Sequence, residues 1–200
     1  MFVLSGIPVH AGDNAVTLHG GLEHTASSAY EDGPTVSARY ERRVLGDLWF
    51  AGEYTWHGPM EHHTRAEPEF SYGDVSGHSI LGDLIYYPKW AKIHGLQPYL
   101  IGGAGWSWWD FNRSREVEDL GVGVELGDAF AYKAGFGLTA RITGPWFVVI
   151  EWSFFKADIP KDAVNADGTP SILLGDDDKT GRVTIGEEEM RFTTGIKAEF

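Results

Sequence analysis

Several segments of this sequence alternate between two faces, one apolar and one polar, and most of their charged residues fall on the polar face. In the segment 130–142, Lys133 and Arg141 share one face with Gly and Thr, while every residue on the other face is apolar. This alternation is typical of a β-strand, so the charges would lie on one side of a sheet. The polar face carries six cations and six anions in all: Arg39, Arg43, Lys133, Arg141, Arg191 and Lys197, with Glu23, Glu41, Glu53, Asp83, Glu151 and Glu199.

The equal numbers of cations and anions suggest that the polar face is enclosed. An unpaired buried charge costs several kcal/mol, about 3–5 where a partner is lost, whereas a paired and hydrogen-bonded charge is tolerated. A solvated surface has no such need for balance. We therefore predict that the twelve residues form an ion-pair network inside a closed structure, with an ordinary mixed-charge surface as the alternative.

Two further groups of residues have the chemistry of metal ligands. The acidic runs predict weak calcium or magnesium binding, in the millimolar range of exposed sites, because hard cations prefer carboxylate oxygens. A solvated acidic loop is the alternative reading. The stretch HGPMEHH offers imidazoles and a carboxylate for zinc or copper, but its spacing matches no closed tetrahedral pattern. The acidic runs are Asp176, Asp177 and Asp178 and Glu187, Glu188 and Glu189, and the second group is His57, Glu61, His62 and His63.

The elements that must position these residues are eight strands joined by alternately short and long links. Short links such as Leu45-Gly46-Asp47 and Thr143-Gly144-Pro145 carry turn residues. The pattern predicts an all-β fold, an eight-stranded antiparallel up-and-down barrel with one plain end and one elaborated end. We expect strands near 15–25, 36–44, 48–57, 76–87, 97–109, 130–142, 146–155 and 190–200, and long links at 26–34, 58–75, 110–129 and 156–189.

The apolar face of the strands is expected to point outward. Aromatic residues make up 14% of the chain, and an eight-stranded interior is too narrow to hold the rings of that face. An apolar exterior with a polar interior is the arrangement of a transmembrane barrel. The tryptophans would form two girdles, with Trp56, Trp106, Trp108, Trp109 and Trp152 toward the long links and Trp49, Trp90 and Trp146 near the short turns.

Composition excludes several classes of protein. The chain has 200 residues, no cysteine and a formal charge of −13, so it has no disulfide or thiolate site and lacks the basic face of a nucleic-acid binder. No apolar run is long enough for a transmembrane helix, but barrel strands need only about 9–11 residues to cross a bilayer. The excess acidic residues fall in the long links, and the remaining sequence is close to neutral.

The first residues have the character of an export signal. Residues 2–9 are mostly apolar, and Val9-His10-Ala11 places small residues as in an A-x-A cleavage site. We expect residues 1–11 to be a signal-peptide remnant and residues 12–200 to form the barrel domain; a short disordered or edge segment is the alternative.

The eight-strand pattern, the segment LQPYLIGGAGWSWWDF and the terminal RFTTGIKAEF resemble the small outer-membrane β-barrels of the OmpA- and OmpW-like type. The resemblance implies a Gram-negative outer membrane, contact with its lipid and lipopolysaccharide, and long extracellular loops. In that family a terminal Phe, here Phe200, is read by the barrel-assembly machinery. The resemblance implies no cofactor and leaves the oligomeric state open.

The resemblance implies several possible functions, because one fold supports many. A structural or surface-interaction role with a closed lumen is our first expectation, and a narrow channel for small molecules or ions is the alternative. A lipid A-modifying enzyme is a second alternative. The related deacylases use a His-x-Ser pair, and the corresponding stretch here is Glu151-Trp152-Ser153. Without the histidine, Ser153 lacks an adjacent base to activate it, so we expect no enzymatic activity.

Overall fold

The computed structural model describes residues 12–25, 32–63, 71–113, 123–164 and 182–200. Within these ranges the chain is almost entirely β-structure, with one short 3-10 turn at Lys89–Ala91, and no helix is long and apolar enough to cross a membrane. The strands are β1 Asn14–Thr25, β2 Gly33–Leu45, β3 Leu48–His63, β4 Ser71–Tyr86, β5 Leu96–Arg113, β6 Gly123–Leu126, β7 Ala129–Thr143, β8 Trp146–Val164 and β9 Arg182–Glu199.

Eight of these strands close into an antiparallel up-and-down barrel, which confirms the predicted fold. Neighbours in sequence pair in turn from β1 to β5, then β7, β8 and β9, and β9 returns to β1. Short β6 pairs with the far end of β8, beyond the start of β7. If paired residues are traced around the barrel from Asn14 of β1, the path comes back to β1 at His24. The strands are therefore staggered by 24 − 14 = 10 residues around the barrel. Such an offset requires strands tilted by about 35–45°.

The short links lie where tight turns were predicted, and we call this end of the barrel the short-turn end. Gly46 and Gly144 have φ of 55° and 52° at the first position of two-residue loops, the geometry of a type II′ hairpin. The third short link contains the 3-10 turn.

The strands extend further toward the long links than the sequence pattern predicted. β3 continues to His63, β5 to Arg113 and β8 to Val164, while β9 already begins at Arg182. The predicted long links at 58–75, 110–129 and 156–189 were therefore too long. The backbone ladder continues beyond the region of clean alternation, because hydrogen bonding between strands does not require one face to be apolar.

Side chains alternate between the lumen and the outer surface along every barrel strand. On β7 the outward Phe136 is 56% exposed, whereas the inward Thr139 is 4% exposed. The structure thus confirms an apolar exterior. The girdle prediction was wrong for Trp49 and Trp109, which are buried in the lumen at 4% and 3% exposure. Each adjoins an outward aromatic residue in sequence, Phe50 or Trp108, and only one of two consecutive residues can face outward.

Two apolar clusters fill the lumen toward its ends. The upper plug, on the long-link side, includes Met60, Val75, Leu81, Trp109 and Phe155. The lower plug, on the short-turn side, includes Trp49, Ile85, Tyr99, Ile101 and Val149. Both plugs consist of side chains from several strands, and the charged residues of the lumen lie among and between them.

Candidate functional site

The structure places nine of the twelve residues of the predicted network inside the lumen, each at most 4% exposed. They come from seven of the eight barrel strands, so the closure of the barrel brings together charges that are far apart in sequence. The nine are Glu23, Arg39, Glu41, Glu53, Asp83, Lys133, Glu151, Arg191 and Lys197.

The other three residues of the predicted network lie at the short-turn end. Arg43 is exposed and pairs with Asp13 at 2.9 Å, and Arg141 is exposed and stacks on Phe147. Glu199 is half-buried, with Lys197 at 3.6 Å. All three residues occupy inward-pointing positions of their strands, but they lie at the strand ends, where the lumen opens. The interior network is therefore smaller than predicted.

The central cluster of the lumen is organised by two cations. Arg39 binds Glu53 at 2.6 Å and Glu151 at 2.7 Å. Lys133 binds Glu53 at 2.7 Å and Asp83 at 3.2 Å. Glu53 thus connects both cations, and the two remaining carboxylates each lie close to one cation and 3.8 Å from the other. The cluster ties β2, β3, β4, β7 and β8 together across the lumen.

Neutral hydrogen-bond donors complete this central cluster. The Tyr99 hydroxyl donates to Glu151 at 2.8 Å, and Thr55 donates to Glu53 at 3.2 Å. Gly103 lies directly against the Asp83 carboxylate, where a Cβ would overlap it. Three carboxylates share two cations, so the cluster depends on both cations to remain buried.

A lower cluster lies next to the lower plug. Lys197 binds Glu41 at 2.8 Å and also donates to the Tyr87 hydroxyl at 2.9 Å. Thr17 and Tyr87 donate to the same carboxylate at 2.8 and 3.0 Å. The Lys197 ammonium lies 4.8 Å from the ring centroid of Trp49, a cation–π contact. Every charge in this cluster therefore has several partners.

An upper cluster packs against the upper plug. Arg191 binds Glu23 at 2.8 Å and Glu189 at 3.2 Å, and its guanidinium lies 3.7 Å from the ring centroid of Phe155. His57 lies 3.0 Å from Glu23 and 3.0 Å from Ser79. The ligand atoms of Glu23, His57 and Glu189 all lie within 4.8 Å of one another. Because Arg191 binds both of these carboxylates, a cation already occupies the position that a metal ion would need.

The residues that the sequence grouped as candidate metal ligands do not all lie together in the structure. Glu189 was expected in an acidic loop, but β9 begins earlier, and alternation directs its side chain into the lumen, where it is fully buried. Glu187 and Glu188 belong to the same strand, and the residues Asp176 to Asp178 lie outside the described residues. His57 likewise faces the lumen rather than joining Glu61, which is half-buried. The side chains of His62 and His63 are outside the description.

Ser153, the residue that corresponds to the deacylase nucleophile, faces the lumen. Ser153 and Glu151 are each 3% exposed, and none of the described histidines hydrogen-bonds to this serine. The position faces away from the outer surface, where a lipid substrate would approach. The geometry therefore gives no support to lipid A chemistry at this serine.

Sequence reasoning missed the two tyrosines of the lumen clusters. Tyr87 and Tyr99 each donate a hydrogen bond to a buried carboxylate. Tyr99 occupies an inward position of β5, so strand parity could have identified it. Tyr87 follows the end of β4, where no alternation remains to indicate its direction.

Solved structures of small outer-membrane proteins share this fold. OprG of Pseudomonas aeruginosa matches with a TM-score of 0.64 at 12% identity, covering 96% of this chain and 97% of that chain. A major outer membrane protein of Thermus thermophilus matches at 0.58 and 10% identity, covering 94% and 99%. Ail, the attachment invasion locus protein of Yersinia pestis, matches at 0.52 and 11% identity, covering 96% and 100%. No family description and no curated protein matches the sequence.

The fold and the surface together define the class of protein. The barrel is of the outer-membrane type, its outer surface is apolar, and its charged residues are enclosed in the lumen. A barrel with this distribution has the surface of a transmembrane protein, because lipid tails favour an apolar exterior and closure satisfies every strand edge. The chain thus has the fold of the small outer-membrane β-barrels and an exterior suited to lipid.

Proposed function

We propose that the chain is a closed, non-conducting barrel of a bacterial outer membrane with a structural or surface-interaction role. The observation that carries this proposal is the pairing of the ten buried lumen charges, four cations with six carboxylates, among two apolar plugs. An aqueous pore needs continuous solvated space, whereas these side chains contact one another across the lumen. Such a lumen stabilises the barrel rather than conducting.

The outer surface supports the placement in a lipid bilayer. Outward residues of β7 and β8 such as Phe136, Ile150 and Trp152 are 56%, 43% and 49% exposed. Exposing so many large apolar residues to water would be unfavourable, since soluble proteins avoid large contiguous apolar patches. Lipid and the lipid part of lipopolysaccharide are therefore the partners we propose for this surface.

The orientation and assembly follow the same proposal. The short-turn end would face the periplasm, and the long, acidic links would lie outside the cell. Phe200 is exposed on the barrel wall at 57% and its backbone pairs with Asn14, which closes the barrel next to the terminus. This is an accessible position for the assembly machinery to read, as the resemblance to small outer-membrane barrels implies.

A narrow channel for small molecules or ions remains the second candidate. The observation that favours it is a cavity of about 500 Å³ at the short-turn end, which reaches into the barrel as far as Trp49 and Tyr87. Rearrangement of the ionic clusters above these rings would then be needed to open a path through the lumen.

Conductance in a planar bilayer separates the two candidates. The purified full-length barrel is expected to give no steady current when its insertion is verified by resistance to protease. The matched control is the double variant Trp109→Ala, Phe155→Ala, which removes the two largest side chains of the upper plug. A steady conductance of the unmodified barrel on the scale of a porin would contradict the closed lumen and favour the channel.

A further inference from the structure

The cavity at the short-turn end has a positively charged lining although the chain as a whole is acidic. Four cations and two carboxylates line it, and its volume of about 500 Å³ falls within the range of small-molecule sites. The chain carries a formal charge of −13, so this local reversal of sign is the opposite of what composition predicts. The lining charges are Arg43, Lys89, Lys92 and Arg141, with Asp47 and Glu199.

The carboxylates near the cavity are already engaged. Lys89 binds Asp47 at 2.7 Å, and its hydrogen bonds hold the pKa of Asp47 below its ordinary value, so this carboxylate stays ionised and paired. Glu199 lies 3.6 Å from the buried Lys197.

Two cations of the cavity remain uncompensated. Arg43 is paired with Asp13 at 2.9 Å. Among the residues that the structure describes, neither Arg141 nor Lys92 contacts a carboxylate. The cavity therefore has unused capacity to bind negative charge.

Aromatic rings position the guanidinium groups of the cavity. Arg141 lies 5.2 Å from the ring centroid of Phe147, and Arg43 lies 4.9 Å from that of Trp49. A guanidinium stacked on a ring keeps its N–H groups at the edge available for hydrogen bonds, and its planar fork suits carboxylate and phosphate oxygens. The rings also give the cavity an apolar floor and wall, formed by Trp49, Tyr87 and Phe147.

We propose that this cavity is a binding site for a small anion that bears carboxylate or phosphate groups. We call it the anion vestibule. The cavity is too small for a folded partner, and its two uncompensated cations favour a ligand with at least two negative charges. The proposal rests on the proposed function for the position of the vestibule at the periplasmic face of a membrane. Its anionic ligand could be a free solute or the headgroup of a lipid in the surrounding leaflet.

Pyrophosphate titration of the full-length barrel in zwitterionic micelles, followed by backbone amide shifts in NMR, tests the proposal. We expect saturable shifts of the Gly46 and Gly95 amides, which line the vestibule. The double variant Arg141→Gln, Lys92→Gln should weaken this binding at least tenfold. Arg42→Gln is the matched control, because Arg42 is exposed at the same end but does not line the cavity, and it should leave the affinity unchanged.

Nanodiscs distinguish the two sources of the anion. If phosphatidylglycerol shifts the same amides relative to phosphatidylcholine, without added pyrophosphate, a lipid headgroup fills the vestibule; if only pyrophosphate does so, a solute does. Absence of saturable shifts in both arms would overturn the proposal, as would equal weakening by Arg42→Gln. Because conductance is measured separately, failure of the anion vestibule would not be confused with failure of the closed-barrel proposal.

Discussion

Arg39 and Glu53 show how single residues hold the lumen closed. Glu53 contacts two cations, whereas Arg39 contacts three carboxylates, those of Glu53, Glu151 and, at 3.8 Å, Asp83. Loss of Arg39 leaves three carboxylates with Lys133 alone, whereas loss of the Glu53 charge leaves each cation with a remaining carboxylate. The arginine should therefore matter more to stability than the glutamate, although the two residues bind one another.

We expect Arg39→Met to lower the free energy of unfolding by about 3–5 kcal/mol, because it leaves buried carboxylates without enough cations to pair with. Glu53→Gln should cost less, roughly 1–3 kcal/mol, because the amide still accepts hydrogen bonds. Urea unfolding of the barrel in detergent, followed by circular dichroism, measures both. Equal losses of stability, or a greater loss for Glu53→Gln, would show that the stability of the central cluster does not depend mainly on its cations.

At the scale of the strand, the period-two pattern decides which side chains face outward, toward the proposed lipid, and which face the lumen. Phe136 and Thr139 lie on the same strand, three residues apart, and face opposite sides. In the proposed bilayer an arginine on the outer face would enter hydrocarbon, whereas at position 139 it would extend into the anion vestibule, which Thr139 lines.

Phe136→Arg is expected to destabilise the barrel by about 2–4 kcal/mol, the cost of a lipid-facing arginine near the midplane. Thr139→Arg should cost clearly less, because the cavity can hold the longer side chain. Folding yield into lipid vesicles, read from the shift of the folded band on an unheated gel, compares the two. Similar yields for both variants would mean that inside and outside had been assigned wrongly.

The strands also show how much of the fold could be predicted from the sequence. Alternation predicted the eight barrel strands, their order and the direction of residues such as Glu53 and Phe136, but not the short β6. It did not predict where the strands end at the long links, because a hydrogen-bonded ladder continues where neither face is apolar. This is why Glu189, expected in a loop, lies in β9 and binds Arg191.

The pairing partners within the site could not be predicted at all. Which cation meets Glu151 depends on the register and tilt of strands that are distant in sequence, and Arg39 is 112 positions away. The composition of the polar face indicated a balanced interior but not its three separate clusters. Arg43 and Arg141 occupy alternate positions that point inward, but they lie at strand ends where the lumen opens and are exposed. Alternation alone therefore predicted too many members of the buried network.

At the scale of the whole molecule, charge is divided between the two ends. The lumen pairs four cations with six carboxylates, the short-turn end carries the cations of the anion vestibule, and the long links are acidic. Asp176 to Asp178 belong to one of these links, outside the described residues, and weak calcium binding there stays a prediction.

We expect millimolar calcium to slow tryptic cleavage after Lys179, because carboxylates of exposed sites bind this ion weakly. The triple variant Asp176→Asn, Asp177→Asn, Asp178→Asn should lose this protection. A control with the same loss of charge, Glu116→Gln, Glu118→Gln, Asp119→Asn, should keep it. Calcium-independent cleavage of the unmodified barrel would show that the acidic run is only a solvated surface, and would leave the barrel fold unaffected.

Whether a residue faces the lumen or the outer surface can be measured directly, because the chain has no cysteine of its own. Single cysteines introduced by Phe136→Cys, Leu138→Cys and Thr139→Cys would carry a nitroxide spin label in barrels reconstituted into vesicles. The measurement is relaxation of each label by oxygen, which concentrates in lipid, and by a water-soluble nickel complex. We expect oxygen to dominate at positions 136 and 138 and the nickel complex to dominate at position 139, whereas the reverse pattern would contradict the proposed inside and outside of the barrel.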